Sequence, residues 1–419
     1  MTLDRRTAWI VAALSALAFL ALAAVLVPWD WVPGGRLRPA QPLDIFTSEQ
    51  VARAEEYAGV RRYLGWASYA VSLAVAALLG FTSVGSRLVR GWFGRLRWWL
   101  AVPTGTLLVL AIGRAATLPF SVLIRRRNLA YGLTEQGWGA WAVDYGKSLL
   151  VSWLLTSLVL LLLVLAARRS PRRWFAWAGG AAAALTLAGS FLYPVLIEPI
   201  FNRFEPLLDG QLRSAVLELA DRQGVQVDEV LVADASRRTT TLNAYVSGFG
   251  GTRRVVLYDN LVEDLPEPEA LTVVAHELAH AEHNDVLLGT SLGAAGAVLG
   301  VSLLALVLDS SRVRRRAGVE GPGDPAAVPL VLALSAFAML AVSPVQGTIS
   351  RAIEVRADRE AIVATRDSDT FVNMQRELAL ASLADPTPPA WSQFWFGSHP
   401  TLLQRAGLPD SLAEAGLLP

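Results

Sequence analysis

Seven long apolar stretches dominate the sequence and restrict the chain to folds that cross a lipid bilayer. A membrane-spanning helix needs about 20 predominantly apolar residues, because the hydrocarbon core is about 30 Å thick. Stretches of this kind cover residues 7–27, 63–84, 98–124, 148–167, 174–196, 287–308 and 326–345. Only 17% of the residues are charged, against roughly 25% in soluble domains. The sequence therefore predicts a mainly α-helical membrane protein with seven transmembrane helices.

The first stretch follows Arg5 and Arg6, as the apolar part of a cleaved signal peptide would. Its length exceeds that of the apolar region of a usual signal peptide, which favours a retained helix. The predicted organisation is then five helices in 1–197, a polar segment in 198–286, two helices in 287–345 and a polar segment in 346–419.

The first polar segment shows its own periodicities. Residues from Leu212 to about Gly224 are amphipathic with helical spacing, and residues 225–235 and 253–261 are typical of short strands. Glycines make residues 243–251 a predicted turn between the strands, and 266–283 a predicted helix with acidic residues in its first turn. The later connection at 310–325 is rich in arginine and glycine and is predicted to be flexible.

Charge and cysteine content exclude several classes of partner and ligand. The formal net charge is +1, which does not indicate nucleic-acid binding, and there are no cysteines. Any bound metal must therefore be held by histidine and carboxylate ligands.

Three of the four histidines fall within residues 273–286, VVAHELAHAEHNDV. His276, Glu277 and His280 form an HExxH motif, whose histidines lie one turn apart on one face of a helix. Two imidazoles at this spacing can bind one zinc ion, and the glutamate can take a proton from a water that the metal activates. This arrangement is typical of metalloproteases.

A catalytic zinc needs a third protein ligand. His283 lies seven residues beyond His276, about 10 Å along the helix, so one ion cannot join both. Glu354 is a better candidate, with Asp358 on the same helical face to hold an imidazole nitrogen. The neighbouring arginines leave open a second interpretation, in which both carboxylates lie on a solvated surface.

His399 and Arg405 lie in SHPTLLQR, far from the other motifs. A neutral histidine or a cationic arginine could stabilise the oxyanion that forms when water attacks a peptide carbonyl. A single His-Pro pair is also typical of an ordinary turn, so the residues alone leave both interpretations open.

Taken together, these motifs resemble the type I integral-membrane zinc CAAX prenyl protease family of HExxH metallopeptidases. The resemblance extends from about residue 116 to the end of the chain. Its specific parts lie at 118–147, at 193–213 (YPVLIEPIFNRFEPLLDGQLR) and at 241–262 (TLNAYVSGFGGTRRVVLYDNLV), and then in HELAH, EVRAD and SHPTLLQR.

The resemblance implies one Zn²⁺ per chain, held by His276, His280 and Glu354. It implies that Glu277 is the general base. It also implies that Asp358 does not bind the metal itself but supports one of the residues that do. The segments 198–286 and 346–419 are then the catalytic segments, the second carrying the third zinc ligand.

The same resemblance implies that His399 and Arg405 lie near the substrate in the active site. Asn243 and Ala244 match an edge strand against which the substrate backbone lies. The implied fold is seven membrane helices around a chamber, with a zincin-like catalytic domain that contains a small β-sheet. The family cleaves near the C-terminus of isoprenylated proteins, and some members cut peptides without a lipid.

The side of the membrane that carries the motifs is predicted differently by two arguments. Arginines are concentrated in the connections on the N-terminal side, at 87–97, 168–173 and 312–316, which makes that side cytoplasmic and the motifs extracytoplasmic. The family resemblance implies a cytoplasmic catalytic domain instead. The Ala-, Arg- and Leu-rich composition is typical of proteins from bacteria with GC-rich genomes, so we expect the protein to lie in a bacterial cell membrane.

We therefore expect an integral-membrane zinc metalloendopeptidase that acts on peptide or protein substrates, either prenylated C-termini or membrane-associated peptides. A transporter or receptor with a non-catalytic metal site is the alternative, which the seven spans and the charged Arg114 within one of them permit. A structural zinc normally has four protein ligands, whereas only three are evident, which favours catalysis. The oligomeric state is not predicted.

Overall fold

The computed structural model describes residues 3–30, 37–248 and 253–418, which are mainly helical. The helices are α1 (Arg5–Leu26), α2 (Pro42–Ile45), α3 (Ser48–Phe81), α4 (Ser83–Phe93), α5 (Trp98–Ala130), α6 (Trp138–Arg169), α7 (Trp174–Leu192), α8 (Glu198–Phe201), α9 (Gln211–Arg222), α10 (Asp259–Asp264), α11 (Glu267–Glu282), α12 (Asp285–Leu308), α13 (Ser311–Ala317), α14 (Val328–Thr365), α15 (Ser368–Ser382), α16 (Ala390–Phe396), α17 (Leu402–Ala406) and α18 (Leu408–Glu414).

Seven helical spans in the described part of the chain are long and apolar enough to cross a membrane. They are α1, α3, α5, α6, α7 with its continuation to Phe201, α12 and α14. Each coincides with one of the stretches expected from hydropathy, so the predicted seven spans are confirmed. The chain is a multi-pass membrane protein.

The last span continues beyond its apolar part without interruption. Helix α14 contains 38 residues, whereas the apolar stretch predicted only 326–345. Residues 348–365 contain neither glycine nor proline, the residues that most strongly end helices. The same helix, which also contains Pro344, therefore carries Glu354 and Asp358 away from the apolar segment.

A tight reversal joins the HExxH helix to the sixth span. Helix α11 ends at Glu282 and α12 begins at Asp285, and Asn284 between them has φ of 54°. Asparagine tolerates this left-handed conformation better than most residues. The turn places the start of a membrane helix beside the histidines of α11.

The polar part of the chain contains one four-stranded mixed sheet. The strands are β1 (Phe204–Pro206), β2 (Glu229–Ala233), β3 (Ala244–Ser247) and β4 (Arg254–Tyr258), in the spatial order β1-β2-β4-β3. β2 and β4 are parallel, and β1 and β3 pair antiparallel with them at the two edges.

Strands β2 and β4 confirm the two predicted from the sequence, but the turn predicted at 243–251 is wrong in part. Its first half forms β3, because Ala244–Ser247 pair antiparallel with β4, with Ala244 opposite Leu257 and Ser247 opposite Arg254. Residues 249–251 of that prediction lie outside the described residues.

The HExxH helix is packed on several sides by apolar residues. One buried cluster joins α9, β4, α11, α14 and α15, and it includes Ala275, directly before the motif, and Leu278 within it. Phe371 of α15 and Ile362 of α14 belong to the same cluster and are almost completely buried. This packing fixes the orientation of α11 relative to α14.

The connection at 310–325, predicted to be flexible, is ordered. Residues Ser311–Ala317 form α13, and the Ser86 hydroxyl donates to the Ala317 carbonyl at 2.6 Å. The Arg90 guanidinium donates to Asp324 at 2.6 Å. These contacts with α4 hold the connection in place, which the local composition did not reveal.

Arg114 faces a neighbouring helix, as the cost of exposing a charge to lipid requires. Its guanidinium donates to the Ser148 hydroxyl at 3.0 Å and lies 5.0 Å from the centre of the Tyr145 ring. Both partners belong to α6, so this charge is explained by helix packing.

Sidedness can be tested directly because the chain has no native cysteine. Asp369 lies in α15 beyond the end of the last span, and Gly91 lies in α4 at the opposite end of the bundle; both are exposed. From the arginine distribution, we expect a membrane-impermeant maleimide to label the Asp369→Cys protein in intact cells but not the Gly91→Cys protein. The reverse pattern would place the motifs in the cytoplasm.

Candidate active site

The two motif histidines lie near the end of α11, where packing holds them rigidly. The helix begins after Pro266 with Glu267 and Glu269 in its first turn, which favours helix initiation through the macrodipole. Ala275 and Ala279, beside the histidines, are completely buried. The small alanine side chains let neighbouring elements approach the helix closely at this point.

His276, His280 and Glu354 bring three potential ligand atoms to one point. The two Nε2 atoms are 3.2 Å apart, and the Glu354 carboxylate lies 3.3 Å from His276 Nε2 and 3.8 Å from His280 Nε2. The ligand atoms of the three residues all lie within 4.8 Å of one another. Tetrahedral zinc with bonds of about 2.0–2.2 Å separates neighbouring ligand atoms by roughly 3.3 Å.

Glu354 Oε2 is buried and accepts no hydrogen bond. A buried carboxylate oxygen without a donor is costly, and a divalent cation would satisfy it. The separations and the donor set of two imidazoles and one carboxylate fit zinc.

Asp358 lies behind His276 and is inaccessible to solvent. Its Oδ1 atom is 2.9 Å from His276 Nδ1, so that Nε2 is the nitrogen turned toward the ligand cluster. Arg405 donates two hydrogen bonds to the same carboxylate, at 2.6 Å and 2.8 Å. A carboxylate in this position selects the tautomer and orientation of a ligand histidine.

Asp285 holds His280 in the corresponding way, and sequence analysis missed it. His280 Nδ1 lies 2.9 Å from Asp285 Oδ2, and the other oxygen accepts from Arg356. In the sequence, Asp285 resembles an ordinary acidic residue in the first turn of a helix. Asp285 follows His280 by five residues. This spacing could have indicated the contact between them only if the turn at Asn284 had been known.

His399 reaches the cluster from the C-terminal segment, and its side chain is about half exposed. Its Nε2 atom lies 3.2 Å from Glu354 Oε2. The backbone carbonyl of His399 accepts a hydrogen bond from Gln393 at 2.5 Å, which ties the residue to α16. Of the two residues predicted near the substrate, His399 is partly exposed beside Glu354, whereas Arg405 contacts Asp358.

Glu277 follows the first histidine and is partly buried. Burial raises the pKa of its carboxyl group, against the opposing effect of the two imidazoles. His283, excluded as a ligand from the sequence, is exposed at the C-terminal end of α11.

Ala244 is the first residue of β3, the edge strand that packs against α11, and Asn243 directly precedes it. The Asn243 carbonyl accepts a hydrogen bond from the Tyr258 amide at 3.0 Å, which extends the pairing of β3 with β4. β3 pairs with β4 alone among the described strands. An edge strand can pair with a further strand on its other side.

Two family models match adjacent parts of the chain. The model described as CAAX prenyl protease N-terminal, five membrane helices, matches residues 35–203. The model of peptidase family M48 matches residues 206–407, which include every site residue described above.

Individual relatives agree with these matches. The chain is 30% identical to the uncharacterized metalloprotease YhfN of Bacillus subtilis over 382 residues, which is 87% of each chain. It is 33% identical to a CAAX prenyl protease 1 homolog of Arabidopsis thaliana over 232 residues, 53% of this chain and 52% of the relative.

A solved structure shows the same fold. The crystal structure of S. mikatae Ste24p superposes with a TM-score of 0.78 at 21% sequence identity, covering 96% of this chain and 99% of the other. The mainly helical fold with a small sheet, predicted from the sequence, is thereby confirmed. M48 peptidases are zinc-dependent metalloproteases that act on peptides or proteins, and the chain belongs to peptidase family M48, with the N-terminal membrane domain of the CAAX prenyl proteases.

Proposed function

We propose that this protein is an endopeptidase that uses a single zinc ion held by His276, His280 and Glu354. The observation that carries the proposal is the convergence of the three ligand atoms within 4.8 Å of one another. Three protein ligands leave one position of a tetrahedral zinc open, which is the pattern of catalytic sites. When bound, zinc supplies Lewis-acid polarisation of the scissile carbonyl and lowers the pKa of a water molecule.

Glu277 is the general base in this proposal. It accepts a proton from the attacking water and then gives it to the leaving amine, which balances the charges of hydrolysis. The partly buried position of Glu277 in α11 and the pKa raised by burial suit a group that takes and returns one proton. A cation bound at the adjacent ligands would counter part of that increase.

His399 and Arg405 take different roles in the proposal. The Nε2 atom of His399 lies beside the cluster, 3.2 Å from Glu354, where it can donate to the oxyanion of the substrate carbonyl. The Nε and Nη2 atoms of Arg405 both donate to the carboxylate of Asp358. We therefore assign oxyanion stabilisation to His399 and the positioning of Asp358 to Arg405.

The substrate backbone is proposed to lie in extended form along β3. An edge strand offers unpaired amide and carbonyl groups to a peptide, which then adds a strand to the sheet. Asn243 and Ala244 begin this edge, and α11 packs against it. Prenylated C-termini and peptides associated with the membrane are the two substrate classes that suit a site beside seven spans.

Replacing Glu277 with glutamine should abolish most hydrolysis without loss of metal. We expect the rate constant to fall about 10²–10⁴-fold, because the amide cannot accept the proton of water. Mass spectrometry of products from matched prenylated and unprenylated peptides measures both the rate and the substrate class. Normal hydrolysis by the Glu277→Gln protein at full zinc content would refute the mechanism.

The His399→Ala protein should retain zinc but lose about 10²–10³-fold in kcat, the typical effect of removing one oxyanion donor. The Arg405→Gln protein, by contrast, should lose zinc affinity, because Asp358 no longer holds His276 firmly. Zinc content and single-turnover rates measured together distinguish the two roles. Equal loss of zinc in both proteins would contradict the assignment.

Asp285 should influence zinc affinity although it is not a proposed ligand. We expect the Asp285→Ala protein to bind zinc about 10–100-fold more weakly, the usual cost of removing a carboxylate that orients a ligand histidine. Competition with a chromogenic chelator measures this affinity. The Asp309→Ala protein is the matched control, since Asp309 caps the other end of the same helix; an equal effect there would contradict a local role.

A further inference from the structure

One end of the helix bundle, opposite the metal-ligand cluster, concentrates positive charge. It consists of residues 4–9, 82–97, 168–174 and 309–327, which we call the arginine face. Its arginines are Arg5, Arg6, Arg87, Arg90, Arg95, Arg97, Arg168, Arg169, Arg172, Arg173, Arg312, Arg314, Arg315 and Arg316, and its carboxylates are Asp4, Asp309, Glu320 and Asp324. Fourteen arginines thus face four carboxylates, a formal excess of ten positive charges.

The four segments form one continuous surface, joined by hydrogen bonds. The Asp4 amide donates to the Arg172 carbonyl at 3.0 Å, which joins the start of α1 to the connection between α6 and α7. Arg168 donates to the Gly323 carbonyl at 3.0 Å, which joins that connection to the one between α12 and α14. The bonds of Ser86 and Arg90 described above add α4 to the same surface.

Most of this charge is not neutralised within the protein. The described residues form three ion pairs in the arginine face, namely Arg5 with Asp309, Arg90 with Asp324 and Arg173 with Asp4. Arg95 and Arg97 are exposed and have no carboxylate partner in the described part of the chain. Like charges held together in this way favour a partner of opposite charge.

Helix α4 and the turn after it have the form of an interfacial segment. The helix has 11 residues, too few to cross a bilayer, and it turns Gly85, Ser86 and Val89 toward the bundle. Apolar rings are exposed on both sides of Arg95 and Arg97: Trp92 of α4 is 69% exposed, and Trp99 in the first turn of α5 is 46% exposed. Because the segment joins two spans, these rings lie at the membrane boundary, where tryptophan prefers the headgroup level.

The positive charge by itself is also explained by membrane insertion, because arginines mark the cytoplasmic side. Insertion of the chain into the membrane does not require exposed tryptophans to flank unpaired arginines in the folded protein, as Trp92 and Trp99 flank Arg95 and Arg97. We propose that the arginine face binds the headgroups of acidic phospholipids, with Arg95 and Arg97 contacting the phosphates. Guanidinium groups suit this task, since they donate two parallel hydrogen bonds to a phosphate. Trp92 and Trp99 fix the depth of the segment in the headgroup layer.

The test is native mass spectrometry of the full chain in detergent, with phosphatidylglycerol and phosphatidylcholine supplied in equal amounts. We expect the unaltered protein to retain phosphatidylglycerol preferentially. The Arg95→Gln/Arg97→Gln protein should bind it about 30-fold more weakly, since each basic residue near an anionic surface contributes about a factor of five. Added salt should weaken binding to the unaltered protein.

The matched control is the Arg126→Gln/Arg203→Gln protein. Both of these arginines are exposed near the ends of spans, but on the side of the metal-ligand cluster. This protein should keep its affinity for phosphatidylglycerol. Equal retention of both lipids by the unaltered protein, or equal affinities of the two double variants, would overturn the proposal and leave the arginines a role in insertion only.

Discussion

The buried carboxylate of Asp358 is the interaction on which the site depends. It joins three segments that are far apart in the sequence: His276 on α11, Asp358 on α14 and Arg405 on α17. Removing one partner from a buried ion pair costs about 3–5 kcal/mol, because the remaining charge is left without compensation. The network therefore stabilises the closure of the C-terminal segment over α14 and at the same time orients a metal ligand.

The membrane helices take part in this site directly. Asp285, which contacts His280, is the first residue of the sixth span, and Glu354 lies on the extension of the seventh. Arg356 of α14 donates to Asp285 and so connects the two spans beside the ligands. A shift of either span relative to α11 would move a ligand or its supporting carboxylate. The packing of the membrane helices thus sets the geometry of the metal-ligand cluster at one end of the bundle. The arginine face lies at the other end.

Several features escaped prediction from the sequence for physical reasons that can be identified. Asp285 was missed because its role depends on the left-handed turn at Asn284, which brings it back toward His280. The residues of β3 by themselves predicted a turn, because glycines follow them, and only the family resemblance matched Asn243 and Ala244 to an edge strand; pairing with β4 determines the conformation. The connection at 310–325 was taken as flexible because its order comes from hydrogen bonds with α4, which lies more than 200 residues earlier in the chain.

The sequence by itself determined the seven spans, because burial in lipid requires long apolar segments that can be found one window at a time. It also determined His276, Glu277 and His280, because the spacing of a helix puts them on one face. For Glu354 the residues left both a ligand and a solvated surface open, and only family resemblance favoured the ligand. The tertiary structure decided the convergence of Glu354, Asp358, Asp285 and His399, since contacts across crossings of the bilayer depend on how the helices pack and leave no local signal.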